Sequence, residues 1–175
     1  MPDITAAVAV PRDALYFREL IGYTGEETER WERWLRAQDP AVLDVSLGEG
    51  RWGTVRELLF HTFLVERRYA DRLLGDEITP YEGVPHQTLD ELWAIHHAAR
   101  ERLTRYVESA TAEEWDEVLE FQTLLYGPMY GSRRKIVGHA LLHGVRHWAQ
   151  IATALRREGW PEQWPHDLMA ATTLP

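Results

Sequence analysis

The chain contains no cysteine among its 175 residues. Disulfide bonds, thiolate nucleophiles and cysteine-based zinc sites are therefore excluded together, because each of them needs a thiol side chain. Any metal ion that the protein binds must be held by nitrogen and oxygen ligands.

Positive charge and long apolar runs are also scarce. The chain has 19 basic against 28 acidic residues and a formal net charge of -9, so its field repels phosphate backbones and anionic lipids, and we expect neither a nucleic acid nor a membrane as partner. No apolar run approaches the roughly 20 residues that span a bilayer, and residues 1–13 lack the basic start and apolar segment of a secretory signal. These absences predict a cytoplasmic protein.

What the sequence does contain is typical of a folded globular protein. Hydrophobic residues make up 45% of the chain and charged residues 27%, close to the usual averages. A chain of this length fits one hydrophobic core, so we predict a single domain over residues 1–175, with a core at about 12–159 and a C-terminal tail at 160–175 lying over the helices. Histidine and tryptophan are unusually frequent, with eight of each, which directs attention to the histidines.

Four long helices are predicted from apolar spacing and from capping signals. Thr54 with Glu57, and Thr88 with Glu91, have the spacing of a capping box, in which a hydroxyl and a carboxylate satisfy free backbone N–H groups. Gly75 stops the second helix, as expected of a left-handed C-cap. The predicted helices span about residues 12–38, 54–75, 88–109 and 132–159.

The connections decide the fold class. Thr111 with Glu114 caps one more short turn, and residues 118–131, VLEFQTLLYGPMYG, mix β-prone residues with turn breakers, so we interpret them as an irregular connection. Four long helices predict an all-α four-helix bundle, whose interior is the usual place for ligands on facing helices. The long stretches 39–53 and 119–131 permit a helix order other than up-down-up-down.

Three histidines recur at every fourth residue of the fourth predicted helix: His139, His143 and His147. Since successive helical residues are about 100° apart, each histidine is displaced by about 40° from the one before, and all three share one side of the helix. On a helical wheel centred on Ile136, His143 and His147 lie about 20° to either side of the buried axis, whereas His139 lies about 60° away. We therefore predict that the first two point inward and that His139 lies at the rim.

An inward pair of imidazoles at positions i and i+4 is a candidate metal site. The two Cβ atoms lie roughly 5 to 6 Å apart, which allows both rings to bind one ion at a distance of about 2.0 to 2.1 Å. The third ligand should come from a neighbouring helix, and His61 is the only histidine of the second predicted helix. Three neutral imidazoles leave coordination positions open for water or substrate, as in catalytic sites.

The competing interpretation is that these residues are packed core histidines, each hydrogen-bonded to a carbonyl or a carboxylate. Burying two or three imidazoles without partners costs about 1 to 3 kcal/mol each, so a cluster of them needs a compensating interaction. The inward pair of His143 and His147 therefore favours the metal site. Spacing alone assigns no catalytic residue.

Other polar and aromatic residues receive a structural interpretation. Glu66 lies five residues after His61 and so faces another side of the helix, where we expect it to pair with an arginine rather than bind the metal. Trp148 is expected in the core or the pocket wall, and Gln150 at the helix surface. The remaining histidines are expected at surface or capping positions: His86, His96, His97 and His166.

The segments LLFHTFLVERRYADRLLG and GHALLHGVRHWAQIATALRREG resemble the DinB, or YfiT-like, family of metalloproteins over residues 12–159. The resemblance places the metal ligands on the three residues that the spacing selects: His61, His143 and His147. His139 matches a common position that does not bind the metal. The family usually continues its last histidine with Arg-Gly-Gln, whereas this chain has Trp148, Ala149 and Gln150, so the role of that arginine is not carried over.

The resemblance also implies a rearranged bundle order, a homodimer, and a divalent ion such as zinc or nickel, between which imidazole ligands do not discriminate. Members of this family include bacillithiol S-transferases, a mycothiol-dependent isomerase and proteins described as hydrolases. The leading hypothesis is a metal-dependent transferase that acts on a small-molecule substrate, a low-molecular-weight thiol bound as thiolate. The alternatives are a metal-dependent hydrolase and a non-catalytic metal-binding protein of the stress response.

Overall fold

The computed structural model describes residues 16–123 and 127–173, which form a mostly helical protein with one small sheet. Its elements are α1 (Phe17–Arg36), α2 (Val55–Leu74), α3 (Leu89–Ser109), α4 (Ala112–Asp116), β1 (Val118–Thr123), β2 (Gly127–Ser132) and α5 (Arg133–Arg157), with 3-10 turns at Pro40–Asp44 and Leu168–Ala170. The four long helices are those that the sequence predicts, although residue 12, the predicted start of the first, lies outside the described residues. Within the described part, no helix combines the length and the apolarity needed to cross a bilayer.

The predicted capping residues set the helix boundaries. The Thr54 hydroxyl accepts a hydrogen bond from the Glu57 backbone N–H at 3.3 Å, and the Glu57 carboxylate accepts one from the Thr54 N–H at 3.2 Å. Thr88 and Glu91 form the same reciprocal pair at the start of α3. Gly75 ends α2 with a φ of 71°, a conformation that glycine adopts without a Cβ clash. These starts and stops are confirmed because they depend on residues close together in the chain.

The interpretation of residues 118–131 as an irregular connection is wrong. Residues 118–123 and 127–132 form two antiparallel strands, in which Val118 pairs with Ser132 and Thr123 with Gly127, so the fold is not strictly all-α. Side chains of β1 alternate between exposed and half-buried positions, and the half-buried Leu119 and Phe121 pack against a hydrophobic cluster of the helices. This alternation with a period of two was the available strand signal.

The long helices pack through two hydrophobic clusters. α2 contacts α3 and α5, and α1 contacts the same two helices. In one cluster Trp31 of α1 stacks on Trp148 of α5 with ring centroids 5.0 Å apart, and Trp148 is only 5% exposed. The prediction that Trp148 belongs to the core or pocket wall is confirmed. The contact between α2 and α5 is the one that positions the candidate site.

The described part of the tail after α5 packs against α1, and some of its contacts are made to one buried carboxylate. Glu27 of α1 accepts hydrogen bonds from the indole N–H groups of Trp31 at 2.9 Å and Trp164 at 3.1 Å, and also contacts the His166 ring. His166 stacks on Trp31, and its other nitrogen lies 2.9 Å from Glu162. His166 therefore links two carboxylates, and the expectation that it lies at a surface or capping position is wrong.

The expected surface or capping position of His96 is wrong as well. Its side chain is only 6% exposed and lies against Phe63, with ring centroids 4.8 Å apart. Burial, followed by the charges of Arg100 and His97, holds the pKa of His96 well below its ordinary value of 6.5. His97, about 100° further around the helix, is exposed, as expected.

His96 should make the folded state sensitive to acid. Its pKa is depressed on folding, so below pH about 6.5 the unfolded chain binds a proton that the folded chain does not, and stability is lost as the pH falls. From about pH 7.5 to about pH 5.5, this one residue should lower the free energy of unfolding by about 1.4 kcal/mol. Urea unfolding of His96→Leu should lack this component, whereas His97→Leu should keep it. The same pH dependence in His96→Leu as in the wild type would contradict the assignment.

Candidate metal centre

Three histidines from two helices converge where α2 packs against α5. His61 extends from α2, and His143 and His147 extend from adjacent turns of α5. One ring nitrogen of each lies within 4.8 Å of one nitrogen of both others. The ring centroids of His143 and His147 are 4.3 Å apart, and that of His61 lies 5.0 and 5.2 Å from them. The structure thus brings together the three residues that helical spacing selects.

The three donor atoms fit a divalent transition metal ion. Two imidazole nitrogens at about 2.0 to 2.1 Å from a tetrahedral ion are about 3.3 Å apart, and the Nε2 atoms of His143 and His147 are separated by 3.0 Å. Nδ1 of His61 is buried and has no hydrogen-bond partner among the described residues. The cluster is therefore one that can hold a metal ion.

Gln150 fixes the orientation of one of the three rings. Its Oε1 atom lies 2.6 Å from Nδ1 of His147, so Nδ1–H donates to the amide oxygen and the lone pair on Nε2 faces the other two rings. The sequence placed Gln150 at the helix surface, where it does lie, but missed this role. Its spacing of three residues from His147 on the same helix was the signal that could have found it.

Burial keeps the imidazoles neutral at physiological pH. It lowers the pKa of His61 to about 3, with smaller contributions from His147, Arg51 and Arg146. Burial and the neighbouring histidines lower the pKa of His143 to about 2. The pKa of His147 is also lowered, chiefly by burial. Neutral imidazoles offer the lone pairs that metal binding requires.

The neighbouring candidates behave as the sequence indicated. His139 is exposed, at the rim, with its ring centroid 5.5 Å from that of His143. Glu66 does not belong to the cluster: its carboxylate is buried and forms an ion pair with Arg100 at 3.0 Å, so its predicted role as an arginine partner is confirmed. Trp52, whose ring stacks on His61 at a centroid distance of 4.3 Å, lies in the loop before α2 and had no signal in the sequence.

A cavity of about 360 Å³ adjoins the three histidines, a size that admits a small organic molecule. Aromatic side chains, arginines and the histidines form most of its wall. The lining residues are Arg51, Trp52, His61, Val65, Arg68, Tyr69, Arg72, Tyr81, Phe121, Thr123, His139, His143, Arg146, His147 and Gln150. A ligand in this cavity would therefore lie directly against the histidine cluster.

Comparison with known proteins agrees with the family that the sequence motifs resemble. The sequence model of the DinB family matches residues 10–170. This match covers nearly the whole chain and extends past α5 into the tail, beyond residues 12–159 in which the motifs lie. No curated protein matches the sequence.

Proposed function

The chain belongs to the DinB family, and on that premise we propose that it is a metal-dependent enzyme of the thiol S-transferase type. The observation that carries the proposal is the convergence of three neutral imidazoles on one wall of a cavity. The proposed ligands of the ion are His61, His143 and His147. An ion held for structural reasons alone would not need a cavity against its ligands, so this arrangement favours catalysis over a purely stabilising role.

A thiol substrate suits a protein without cysteine, because the nucleophilic sulfur must then come from a small molecule. An ion held by His61, His143 and His147 would lower the pKa of a coordinated thiol, so that the thiolate would predominate at neutral pH. The sulfur would form a bond to the electrophilic carbon of the second substrate, whose leaving group departs with its electron pair, while the thiol proton passes to solvent. Gln150 would keep His147 oriented, and Trp52 would support His61 by stacking on its ring.

Hydrolysis is the second candidate, and the cavity wall favours it less. Activation of water at such a site benefits from a general base within hydrogen-bond reach. None of the described residues that line the cavity is an aspartate or a glutamate, and the one histidine of this lining outside the proposed ligands, His139, lies at the rim. We therefore place S-transfer ahead of hydrolysis.

The identity of the metal and the assembly are part of the same proposal. Zinc and nickel both suit three imidazole ligands, and metal analysis of protein purified without a nickel column identifies which of them is bound. We also infer a four-helix bundle of rearranged order, supported by the contacts of both α1 and α2 with α3 and α5. A homodimer, expected of this family, is checked by light scattering.

The activity is tested by incubating zinc- or nickel-loaded protein with monobromobimane and one thiol at a time: bacillithiol, mycothiol or glutathione. We expect metal-dependent consumption of at least one thiol with release of bromide, and loss of this activity after chelation. His97→Ala, which changes an exposed residue remote from the cavity, should retain the activity. If the loaded protein accelerates none of the three reactions but cleaves an ester, amide or phosphate panel, the hydrolase replaces the transferase. If it does neither, the catalytic proposal is wrong.

A further inference from the structure

The cavity beside the histidines is lined by positive charge in a protein that is acidic overall. Its wall contains four arginines: Arg51, Arg68, Arg72 and Arg146. The described lining contains no carboxylate, although the chain carries 28 acidic residues and a formal net charge of -9. This local excess of positive charge is opposite in sign to the charge of the whole molecule.

These four arginines are also left without ion-pair partners. None of them has an aspartate or glutamate oxygen within 4.0 Å among residues 16–123 and 127–173. Arginines elsewhere in the molecule do form such pairs, among them Arg36, Arg56, Arg67, Arg100, Arg102 and Arg133. Among the described arginines without such a partner, four line the cavity and two, Arg18 and Arg105, lie outside it.

Arg68 and Arg72, one turn apart on α2, are held in place by groups that do not neutralise them. Arg68 donates to the Thr79 carbonyl, and its guanidinium lies over the Tyr81 ring at 4.9 Å. Arg72 donates to the Arg68 carbonyl at 2.9 Å and lies over the Phe121 ring at 5.0 Å. Since a guanidinium has five N–H donors, both residues keep donors for a ligand.

The electrostatics of the cavity favour an anion. Burial lowers the pKa of Arg72, and repulsion from Arg68 lowers it further. Like charges held close together away from water repel one another, and a bound anion relieves that repulsion. An ion at the histidine cluster would add to the positive field.

We propose that Arg68 and Arg72 bind an anionic group, a carboxylate or a phosphate, of a small organic substrate whose apolar part lies against Tyr81 and Phe121. Arginine matches both groups through paired N–H donors. The proposal rests on the proposed function in one respect, that the reactive end of this substrate lies at the histidine cluster. It narrows the substrate class to molecules that carry a negative charge at some distance from the reacting atom.

The test uses metal-free protein and three probes of similar shape: benzoate, phenyl phosphate and neutral benzamide. Calorimetric titration should show at least one anion binding roughly tenfold or more tightly than benzamide. Hydrogen bonds to charged groups are stronger than neutral ones, and the difference in free energy corresponds to about this ratio of affinities. The anion affinity should fall as salt is raised, whereas that of benzamide should not. Preference for phenyl phosphate or for benzoate identifies the anionic group.

Variants test whether Arg68 and Arg72 are the residues that bind the anion. Arg68→Gln combined with Arg72→Gln should weaken anion binding about ten- to a hundredfold and leave benzamide binding unchanged. Arg105→Gln removes one positive charge from an exposed position outside the cavity and should bind the anions as the wild type does. Because Arg72 also donates to backbone carbonyls, Arg72→Lys serves as the variant that keeps the charge, and circular dichroism checks the fold of each protein.

Two results would overturn the inference: wild-type protein that binds neither anion more tightly than benzamide, or Arg105→Gln that loses anion binding as much as the double variant does. Zinc titration of the same proteins separates this inference from the proposed function. Intact anion binding without zinc binding defeats the proposed metal site alone. Intact zinc binding without anion binding defeats the anion site alone.

Discussion

Replacing His143 with alanine is expected to lower the affinity of the protein for zinc or nickel by about a hundredfold to a thousandfold. Three imidazoles share the binding free energy of the ion, and structural zinc sites with four ligands gain about 10 to 16 kcal/mol in total, so one ligand accounts for about 3 to 4 kcal/mol. The Nε2 atom of His143 lies 3.0 Å from that of His147, and the His143 ring centroid lies 5.0 Å from that of His61. Its loss leaves two ligands on different helices.

Calorimetric titration with zinc, together with elemental analysis of the dialysed protein, measures this effect. His139→Ala is the matched control, because His139 lies one turn earlier on the same face of α5 and outside the cluster of donors. The control should keep one ion per chain with affinity close to that of the wild type. Equal affinity in His143→Ala and the wild type would show that the cluster is not the metal site.

Replacing Arg100 with methionine is expected to destabilise the fold by about 3 to 5 kcal/mol, the usual consequence of leaving one charge of a buried pair without its partner. The Glu66 side chain is 4% exposed, and its two oxygens lie 3.0 and 3.1 Å from the Arg100 guanidinium. Arg100 also donates to the Thr24 hydroxyl at 2.8 Å. One guanidinium thus connects α1, α2 and α3, and urea unfolding at neutral pH measures its loss.

The pH dependence of this defect follows from the carboxyl that remains. Burial raises the pKa of Glu66, and Arg100 opposes this shift, so removal of the arginine raises the pKa further. A carboxyl whose pKa is higher in the folded state takes up a proton on folding. The loss of stability should therefore shrink as the pH falls toward the pKa of Glu66 in the folded state. Arg100→Met combined with Glu66→Gln should recover part of the lost stability. The control is Arg105→Met, at an exposed position of the same helix, which should change the free energy of unfolding by less than about 0.5 kcal/mol. An equally small effect of Arg100→Met would rule out the buried pair as a stabilising element.

The parts of the fold that could be predicted are those with local causes. Thr54, Thr88 and Gly75 determine helix ends through contacts within a few residues, so their sequence pattern suffices. The hairpin of β1 and β2 was missed because its glycine and proline suggested an irregular chain, although Leu119 and Phe121 carried the alternation of a strand. Burial of a single polar side chain depends on distant helices, which is why the sequence did not place His96 in the interior.

The candidate site also has a part that the sequence predicts and a part that it does not. His143 and His147 were predictable because a spacing of four residues fixes their common direction on one helix, and His61 because α2 carries no other histidine. The cavity was not predictable, since its wall combines two loops, two helices and a strand. Arg68 and Arg72 lie on an unremarkable basic stretch of α2, and only the packing of Tyr81 and Phe121 against them shows that they face the cavity.

The carboxylate of Glu27 has a consequence for biosynthesis. It belongs to α1, whereas two of the groups that bind it, Trp164 and His166, lie 137 and 139 residues later. During translation α1 leaves the ribosome long before these residues exist, and chains are made at only about 5 to 20 residues per second. The nascent chain therefore carries an acidic group that meets Trp31 early, whereas its contacts with Trp164 and His166 form only after those residues have been made.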